Sequence, residues 1–213
     1  MKIFSWNCRG LGGTIGGLLL LWDDRSDILP LVKDPHFILC KVINHVSNSV
    51  WYAVFLYGES CTASRASFWQ DIKALCSGYS PLCIIGDFNQ VKHHFDKLGG
   101  SSNIAGWTSF LDLRIDIPLS ELLFSGPHFT WANKRDSSSF ILERLDRCYA
   151  SQNWLLLFPD AHVQNLNILL SDHAPIVLST ITRCQKPKRP YRVDNWCLDN
   201  PEIQWLISSI WNI

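Results

Sequence analysis

Short apolar segments, separated by turn residues, follow one another along the first 180 positions of the chain. Their length and their β-branched and aromatic content predict strands at 2–8, 17–22, 28–33, 37–44, 50–57, 82–86, 129–131, 163–170 and 176–181, and a further strand within 141–149. Amphipathic spacing predicts helices at 64–76, 103–113 and 151–157. Many strands with a few helices between them indicate sheets covered by helices, in an α/β or α+β fold.

The composition allows a packed core but gives no global sign of a nucleic-acid partner. Hydrophobic residues make up 47% of the chain, and its 19 basic and 19 acidic residues cancel, so any nucleic-acid site must be local. The eight cysteines show neither Cys-x-x-Cys spacing nor a zinc pattern, so we expect free thiols. The N-terminal segment MKIFSWNCRG lacks the apolar region of a signal peptide, and the apolar run Leu18–Trp22 is too short for a membrane helix. We therefore expect an intracellular protein without a membrane partner.

The sequence changes in character after Thr182. Basic residues between 183 and 192 lie among prolines, and an apolar amphipathic segment follows at 200–213. We expect a domain at 1–182 and, at 183–213, a basic linker with a truncated C-terminal fragment. Arg189 and Arg192 in this linker are candidates for binding nucleic acid.

Polar side chains gather at the ends of the predicted strands. The set comprises Asn7, Tyr57, Asp87, Asn89, Asp146, Asp172 and His173. In layered α/β folds, sites form beyond strand ends, where rigid elements hold the loops. Carboxylate and amide oxygens suit Mg²⁺ or Mn²⁺, and a histidine oriented by a carboxylate can act on a phosphate. Together these residues predict metal-assisted attack of water on a phosphodiester.

Each of these residues also has a plainer interpretation when taken alone. Asn7 is typical of a turn, Tyr57 of a core aromatic, and His173 of a residue that caps backbone. Asp146, between two arginines, is typical of a surface ion pair. The glycine-rich segment at 10–17 lacks a following Gly-Lys-Ser/Thr, which disfavours a phosphate-binding loop. Only the joint pattern favours a phosphodiester site.

Taken in order, the motifs resemble those of the endonuclease/exonuclease/phosphatase superfamily. Within it, the chain is most similar to the endonuclease domain of plant LINE-type (non-LTR) retrotransposons. The matching motifs are MKIFSWNCRGLG, YGE, IIGDFN, GPHFTWAN, ERLDR and LLSDHAPI. They occur in the family's order and extend to about Thr182, and the combination of WNCRG, GDFN and SDH is specific.

The resemblance implies a four-layer α/β sandwich, with two β-sheets face to face and helices outside. It implies DNA cleavage with Mg²⁺ or Mn²⁺, no small-molecule cofactor and a nuclear location. The reverse transcriptase domain that follows such endonucleases is absent from this sequence.

The resemblance also implies roles for individual residues. Asp87 would orient or deprotonate the attacking water, and Asn89 and Tyr57 would hold the phosphate. His173, oriented by Asp146, would contact the scissile phosphate as an acid/base group. The implied metal site draws on Asn7, Asp87, Asn89, Asp172 and His173, and the implied DNA contacts are Trp131 and Asn133.

One part of the family pattern is missing. In the family, the first strand is followed by a helix and by a second strand that ends in a metal-binding glutamate. Here residues 12–15 lead directly into Gly16-Gly17, and the helix, strand and glutamate are absent. Glu59 has its own place in the YGE motif, and Asp23 and Asp24 lie on the far side of a strand. We therefore expect an internally deleted copy with exposed apolar surface, weaker metal binding and impaired activity.

Three functions remain open at this point. The first is a metal-dependent DNA endonuclease of retrotransposon origin, which the WNCRG and ERLDR motifs and the basic linker favour. The second is a non-catalytic remnant that binds nucleic acid weakly, which the missing glutamate favours. The third is a phosphatase of the same superfamily, with the same catalytic residues and a different substrate surface.

Overall fold

A computed structural model of the chain describes residues 1–9, 16–45, 48–101, 103–133, 139–180 and 201, with backbone alone at 8, 9, 16 and 17. The backbone divides into two compact units, Met1–Thr182 and Arg183–Ile213. In the second unit only Pro201 is described, so the candidate residues Arg189 and Arg192 lie outside the described residues.

The first unit consists of short strands with three α-helices between them. The described strands, in chain order, are β1 (Lys2–Arg9), β2 (Gly16–Trp22), β3 (Ser26–Lys33), β4 (Phe37–Asn44), β5 (Ser49–Tyr57), β6 (Leu82–Asp87), β7 (Lys97–Leu98), β8 (Leu119–Glu121), β9 (Phe124–Ser125), β10 (Trp131–Ala132), β11 (Leu142–Glu143), β12 (Asp146–Ser151), β13 (His162–Asn165) and β14 (Ile176–Ser179). The helices are α1 (Arg65–Cys76), α2 (Trp107–Asp116) and α3 (Gln152–Leu157), and His94–Asp96 forms one 3₁₀ turn. None of these helices is long and apolar enough to cross a bilayer.

The strands form two large sheets and one small one. The six-stranded sheet has the order β3-β4-β5-β6-β12-β8, and the five-stranded sheet has the order β2-β1-β14-β13-β9. The small sheet has the order β10-β11-β7. In the six-stranded sheet, β5 and β6 run parallel and every other pairing is antiparallel.

Alternation along the central strands builds two apolar layers. In β5, Trp51 and Phe55 point into a core that also holds Ile3 of the five-stranded sheet, so the two sheets pack face to face. The intervening Val54 and Leu56 point the other way and pack against α1 and α2. The expected α/β sandwich of stacked sheets with helices outside is therefore confirmed.

The outer face of the five-stranded sheet is apolar at its edge. β1 and β2 are successive antiparallel neighbours joined by residues 10–15, with Trp6 opposite Leu19 and Phe4 opposite Leu21. Leu19 and Leu21 are exposed, whereas the covering helices α1 and α2 pack on the six-stranded sheet. Exposed apolar surface next to an edge strand agrees with the expectation from the sequence.

Several predicted elements differ in their bounds from those in the structure. The helix expected at 103–113 begins at Trp107 after Gly106, whose φ of 76° is left-handed. The strand expected at 141–149 divides into β11 and β12, because the Thr130 hydroxyl accepts the N–H groups of Leu145 and Asp146. The strand expected at 163–170 ends at Asn165.

Candidate active site

Strand register brings several predicted site residues to one end of the sandwich. Asp87 ends β6, and its neighbour across the parallel pair is Tyr57, which ends β5. On its other side Asp87 faces Asp146, the first residue of antiparallel β12. Pairing between Trp131 and His173 brings the segment that follows β13 to the same end. Residues far apart in the sequence therefore meet because of the sheet, as sites beyond strand ends do.

A buried polar cluster forms the centre of this site. Nδ1 of His173 lies 3.0 Å from Oδ2 of Asp146, and Nε2 of His173 lies 3.6 Å from Oδ2 of Asp87. The Asn7 amide nitrogen donates to Oδ2 of Asp87 at 2.8 Å and lies 3.3 Å from Nε2 of His173. The indole of Trp6 donates to the His173 carbonyl at 3.0 Å and so helps to hold the backbone of His173 in place. The interpretation of Asp146 as a surface ion pair is wrong, because its side chain is buried against the imidazole.

The charges in this cluster depend on one another. Burial raises the pKa of Asp87 to about 6, while His173 opposes that rise. Burial lowers the pKa of His173, but Asp146 and Asp87 outweigh it and raise the value to about 9. Asp87 and His173 compete for one proton, and the negative charges of Asp87 and Asp146 on either side of the imidazole favour the imidazolium. His173 is therefore a charged donor near neutral pH.

The Asp-Phe-Asn turn after β6 is held by its own side chains and by a glycine. Oδ1 of Asp87 accepts the N–H of Asn89 at 2.7 Å, and Asn89 takes a left-handed φ of 47°. The Asn89 amide donates to the carbonyl of Gly58 at 2.7 Å. A Cβ at position 58 would lie 2.4 Å from the carbonyl oxygen of Phe88, so only glycine fits there.

Asp172 is oriented by two neighbours. The Trp131 indole donates to Oδ2 of Asp172 at 3.2 Å, and the Ser171 hydroxyl lies 3.2 Å from Oδ1. The Ser171 hydroxyl also lies 3.1 Å from the carbonyl of Asn7. Trp131, predicted from the sequence to contact DNA, thus also positions a predicted metal ligand.

These side chains line a pocket of about 350 Å³. Seven of the site residues predicted from the sequence line this pocket: Asn7, Tyr57, Asp87, Asn89, Trp131, Asp172 and His173. Asp146 lies behind His173. Asn133 does not line this pocket. Its amide nitrogen donates to the Ser139 carbonyl, and its amide oxygen accepts the N–H of Ile141.

Sequence reasoning missed two charged residues of the pocket. Glu143 lies in the ERLDR motif, and its carboxylate pairs with Lys97 at 2.8 Å. Arg65, the first residue of α1, donates to the carbonyls of Glu59 at 3.0 Å and Ser60 at 3.1 Å. The ERLDR motif was a signal for Glu143, whereas no local pattern marks Arg65.

The cluster can hold a cation. One donor atom from each of Asp87, Asp146 and His173 lies within 4.8 Å of the others. Asp146 and Nδ1 of His173 already bond each other, so Asp87 is the carboxylate of this group that faces the pocket, together with Asn7 and Asp172. Carboxylate and amide oxygens form the donor set that Mg²⁺ and Mn²⁺ prefer, so the residues present fit such an ion.

Comparison with known proteins shows the fold. No protein-family model matches the chain, and no curated protein matches it. The endonuclease domain of TRAS1, a telomere-specific non-LTR retrotransposon, is similar with a TM-score of 0.60 and 17% identity, over 86% of this chain and 81% of that domain. A 3′ phosphatase, NExo, from Neisseria, bound to a product DNA hairpin, is similar with a TM-score of 0.51 and 15% identity, over 73% of this chain and 70% of that one. An endonuclease/exonuclease/phosphatase family protein from Bacteroides thetaiotaomicron is similar with a TM-score of 0.48 and 14% identity, over 76% of this chain and 68% of that one. The chain therefore shares the α/β sandwich fold of the TRAS1 endonuclease domain and of the NExo phosphatase.

Proposed function

We propose that the chain is a divalent-metal-dependent phosphodiester hydrolase that cuts DNA. The observation that carries this proposal is the buried His173–Asp146 pair, held at 3.0 Å beside Asp87 at the base of a polar pocket. The similar TRAS1 domain is an endonuclease, and the similar NExo structure contains product DNA. Both support DNA as the substrate. We assign the activity to residues 1–182 and treat 183–213 as a segment outside the active-site domain.

The side chains of the pocket have different roles in the proposed hydrolysis. Asp87 faces the pocket with a pKa of about 6, which suits a carboxylate that orients water and accepts its proton. His173, charged and held by Asp146, donates to the phosphate. Asn89 and Tyr57 line the same pocket and donate to phosphate oxygens, on which negative charge increases during attack.

The oxygen donors of the pocket are the best candidates for holding Mg²⁺ or Mn²⁺. Asp87, Asp172 and the amide oxygens of Asn7 and Asn89 supply hard ligands. His173 is the weakest of the predicted ligands, because an imidazolium has no free lone pair. When bound, such an ion polarises the phosphate and neutralises part of its charge.

We infer that this metal site has one carboxylate fewer than the family pattern. Glu59 does not supply the missing group, because its carboxylate accepts the N–H of Cys61 at 2.7 Å and lies 3.9 Å from His36. Asp23 bonds the N–H of Lys2 and the side chain of Arg25 at the other end of β1. We therefore propose weak metal affinity and reduced activity.

The test is cleavage of an end-labelled DNA duplex by the full chain in Mg²⁺, in Mn²⁺ and in EDTA. Asp87→Asn should abolish cleavage, and the exposed Asp24→Asn is the matched control. Release of phosphate from p-nitrophenyl phosphate without DNA cleavage would favour the phosphatase. DNA binding that is sensitive to salt and unaffected by EDTA, without cleavage, would favour the non-catalytic remnant.

A further inference from the structure

A second groove, of about 510 Å³, lies beside the loop that follows Asn89. One wall is the segment from Lys92 to Phe95, and the other is formed by Ile104 and Trp107 at the start of α2. None of these residues belongs to the active-site pocket. The groove is therefore a separate cavity with its own aromatic surface.

Aromatic rings are exposed in this groove and held in place. Phe95 is 66% exposed and Trp107 is 42% exposed. The ring of His93 stacks on Phe95 with centroids 4.9 Å apart and planes at 24°. The Trp107 indole donates to the Lys92 carbonyl at 3.0 Å, which fixes the tryptophan ring at the groove wall. Large exposed apolar rings in fixed positions are typical of binding surfaces.

A buried ion-pair network anchors the groove loop. Asp96 accepts the N–H of His93 at 3.2 Å and pairs with Arg147 at 2.8 Å inside the protein. The ammonium of Lys92 pairs with Glu121 at 2.6 Å. Because both ends of the loop are held, Phe95 loses little conformational freedom when a ligand stacks on it.

Hydrogen bonds connect the groove to the active-site pocket. Gln90 is fully buried, and its amide donates to the carbonyl of Ala105 at 3.0 Å, next to Ile104 of the groove. Arg65 of the pocket lies 3.4 Å from that same carbonyl. Lys92 lies three positions after Asn89 in the sequence, a span of at most about 11 Å. A chain that leaves the pocket can therefore enter the groove within a short distance.

We propose that this groove binds an unpaired nucleobase of the strand whose phosphate occupies the active-site pocket. The inference rests on the proposed function and deepens it. Burial and the nearby Lys92 lower the pKa of His93, which favours a neutral ring that can stack on a base. Aromatic side chains bind bases of any sequence through their faces, so the groove selects locally single-stranded DNA rather than a sequence.

The test measures affinity in EDTA, so that it does not depend on cleavage. A fluorescent single-stranded oligonucleotide is titrated with wild type, with Phe95→Ala and with Leu98→Ala, and anisotropy is recorded. Leu98 is a matched control, because it is 54% exposed in β7, three positions after Phe95, and does not line the groove. We expect Phe95→Ala to weaken binding roughly tenfold and Leu98→Ala to change it less than twofold.

A series of oligonucleotides with one abasic position locates the base. At one position, removal of the base should lower the affinity of wild type for the oligonucleotide as much as Phe95→Ala does. The same removal should not lower the affinity of Phe95→Ala any further. Equal affinities of wild type and Phe95→Ala across the series would overturn the groove inference, even in a chain that cuts DNA. Binding that depends on Phe95 without cleavage in any metal would uphold the groove and contradict the proposed hydrolase.

Discussion

His173 and Asp146 are 27 residues apart in sequence, yet Nδ1 of the imidazole lies 3.0 Å from a carboxylate oxygen of the aspartate. The contact orients the ring so that Nε2 lies toward Asp87 and Asn7, at the base of the pocket. A carboxylate in this position sets the tautomer and favours the charged form of the ring. The pair thereby links the fold of β12 to the chemistry of the pocket.

Asp146→Asn should keep the fold and lower the cleavage rate by roughly 10²-fold or more, because the imidazolium loses its main stabilising charge. The rate is measured on an end-labelled duplex at saturating metal, and the exposed Asp71→Asn is the control. Wild-type activity in Asp146→Asn would show that His173 acts without this partner.

Trp131→Phe should weaken metal binding severalfold. The change removes the indole N–H that lies 3.2 Å from Asp172 while keeping most of the ring packing. Mn²⁺ affinity is read by calorimetry, and the free energy of unfolding by urea titration. The exposed Trp22→Phe should change neither quantity. Unchanged Mn²⁺ affinity in Trp131→Phe would place Asp172 outside the metal site.

Gly58→Ala should destabilise the fold by about 2 kcal/mol and impair the site, because the new Cβ would collide with the Phe88 backbone in the Asp-Phe-Asn turn. Gly78→Ala is the matched control, since no atom lies within 4 Å of its Cβ position. Urea unfolding measures both variants. Equal stability of the two would show that the turn can move aside at no cost.

Glu121 should make stability depend on acid pH. Burial raises its pKa, but Arg147 and Arg144 outweigh burial and lower the value from 4.5 to about 2. Its carboxylate lies 2.8 Å from each of the two guanidinium groups. Because the pKa is lower in the folded state, this stability is fully present above about pH 4.5 and is lost as the pH falls toward 2.

Glu121→Gln should therefore lose about 3 kcal/mol of unfolding free energy at pH 7 and show a shallower decline between pH 4.5 and 2. Urea titrations at a series of pH values measure both effects. If the unfolding free energies of wild type and variant fell in parallel between pH 4.5 and 2, Glu121 would not be the cause of the acid sensitivity.

The sequence predicts the strands and the site motifs well, because both depend on local patterns. The length and the β-branched and aromatic content of the apolar segments predict β4, β5 and β6 to within a residue or two, and the GDFN and SDH motifs predict residues that meet in the pocket. The division of the strand at 141–149 was not predictable, since it follows from bonds to the distant Thr130 hydroxyl. The helix expected at 103–113 begins only at Trp107, because Gly106 takes a left-handed φ that amphipathic spacing does not encode.

Charged groups in the interior were the least predictable feature. Arg144 and Arg147 look like surface residues beside Asp146, yet both are buried and pair with Glu121. Their partner comes from β8, a short strand that no pattern marks. Buried ion pairs depend on tertiary contacts that neither hydropathy nor spacing encodes.

Nicking of supercoiled plasmid is the most direct test of the central claim. The full chain is incubated with plasmid in Mg²⁺ and in EDTA, beside His173→Ala, with folding of both proteins checked by circular dichroism. We predict slow nicking in Mg²⁺ that EDTA and His173→Ala abolish. Folded wild type that leaves the plasmid intact at 10 mM Mg²⁺, or nicking that persists in His173→Ala, would contradict the proposed hydrolase.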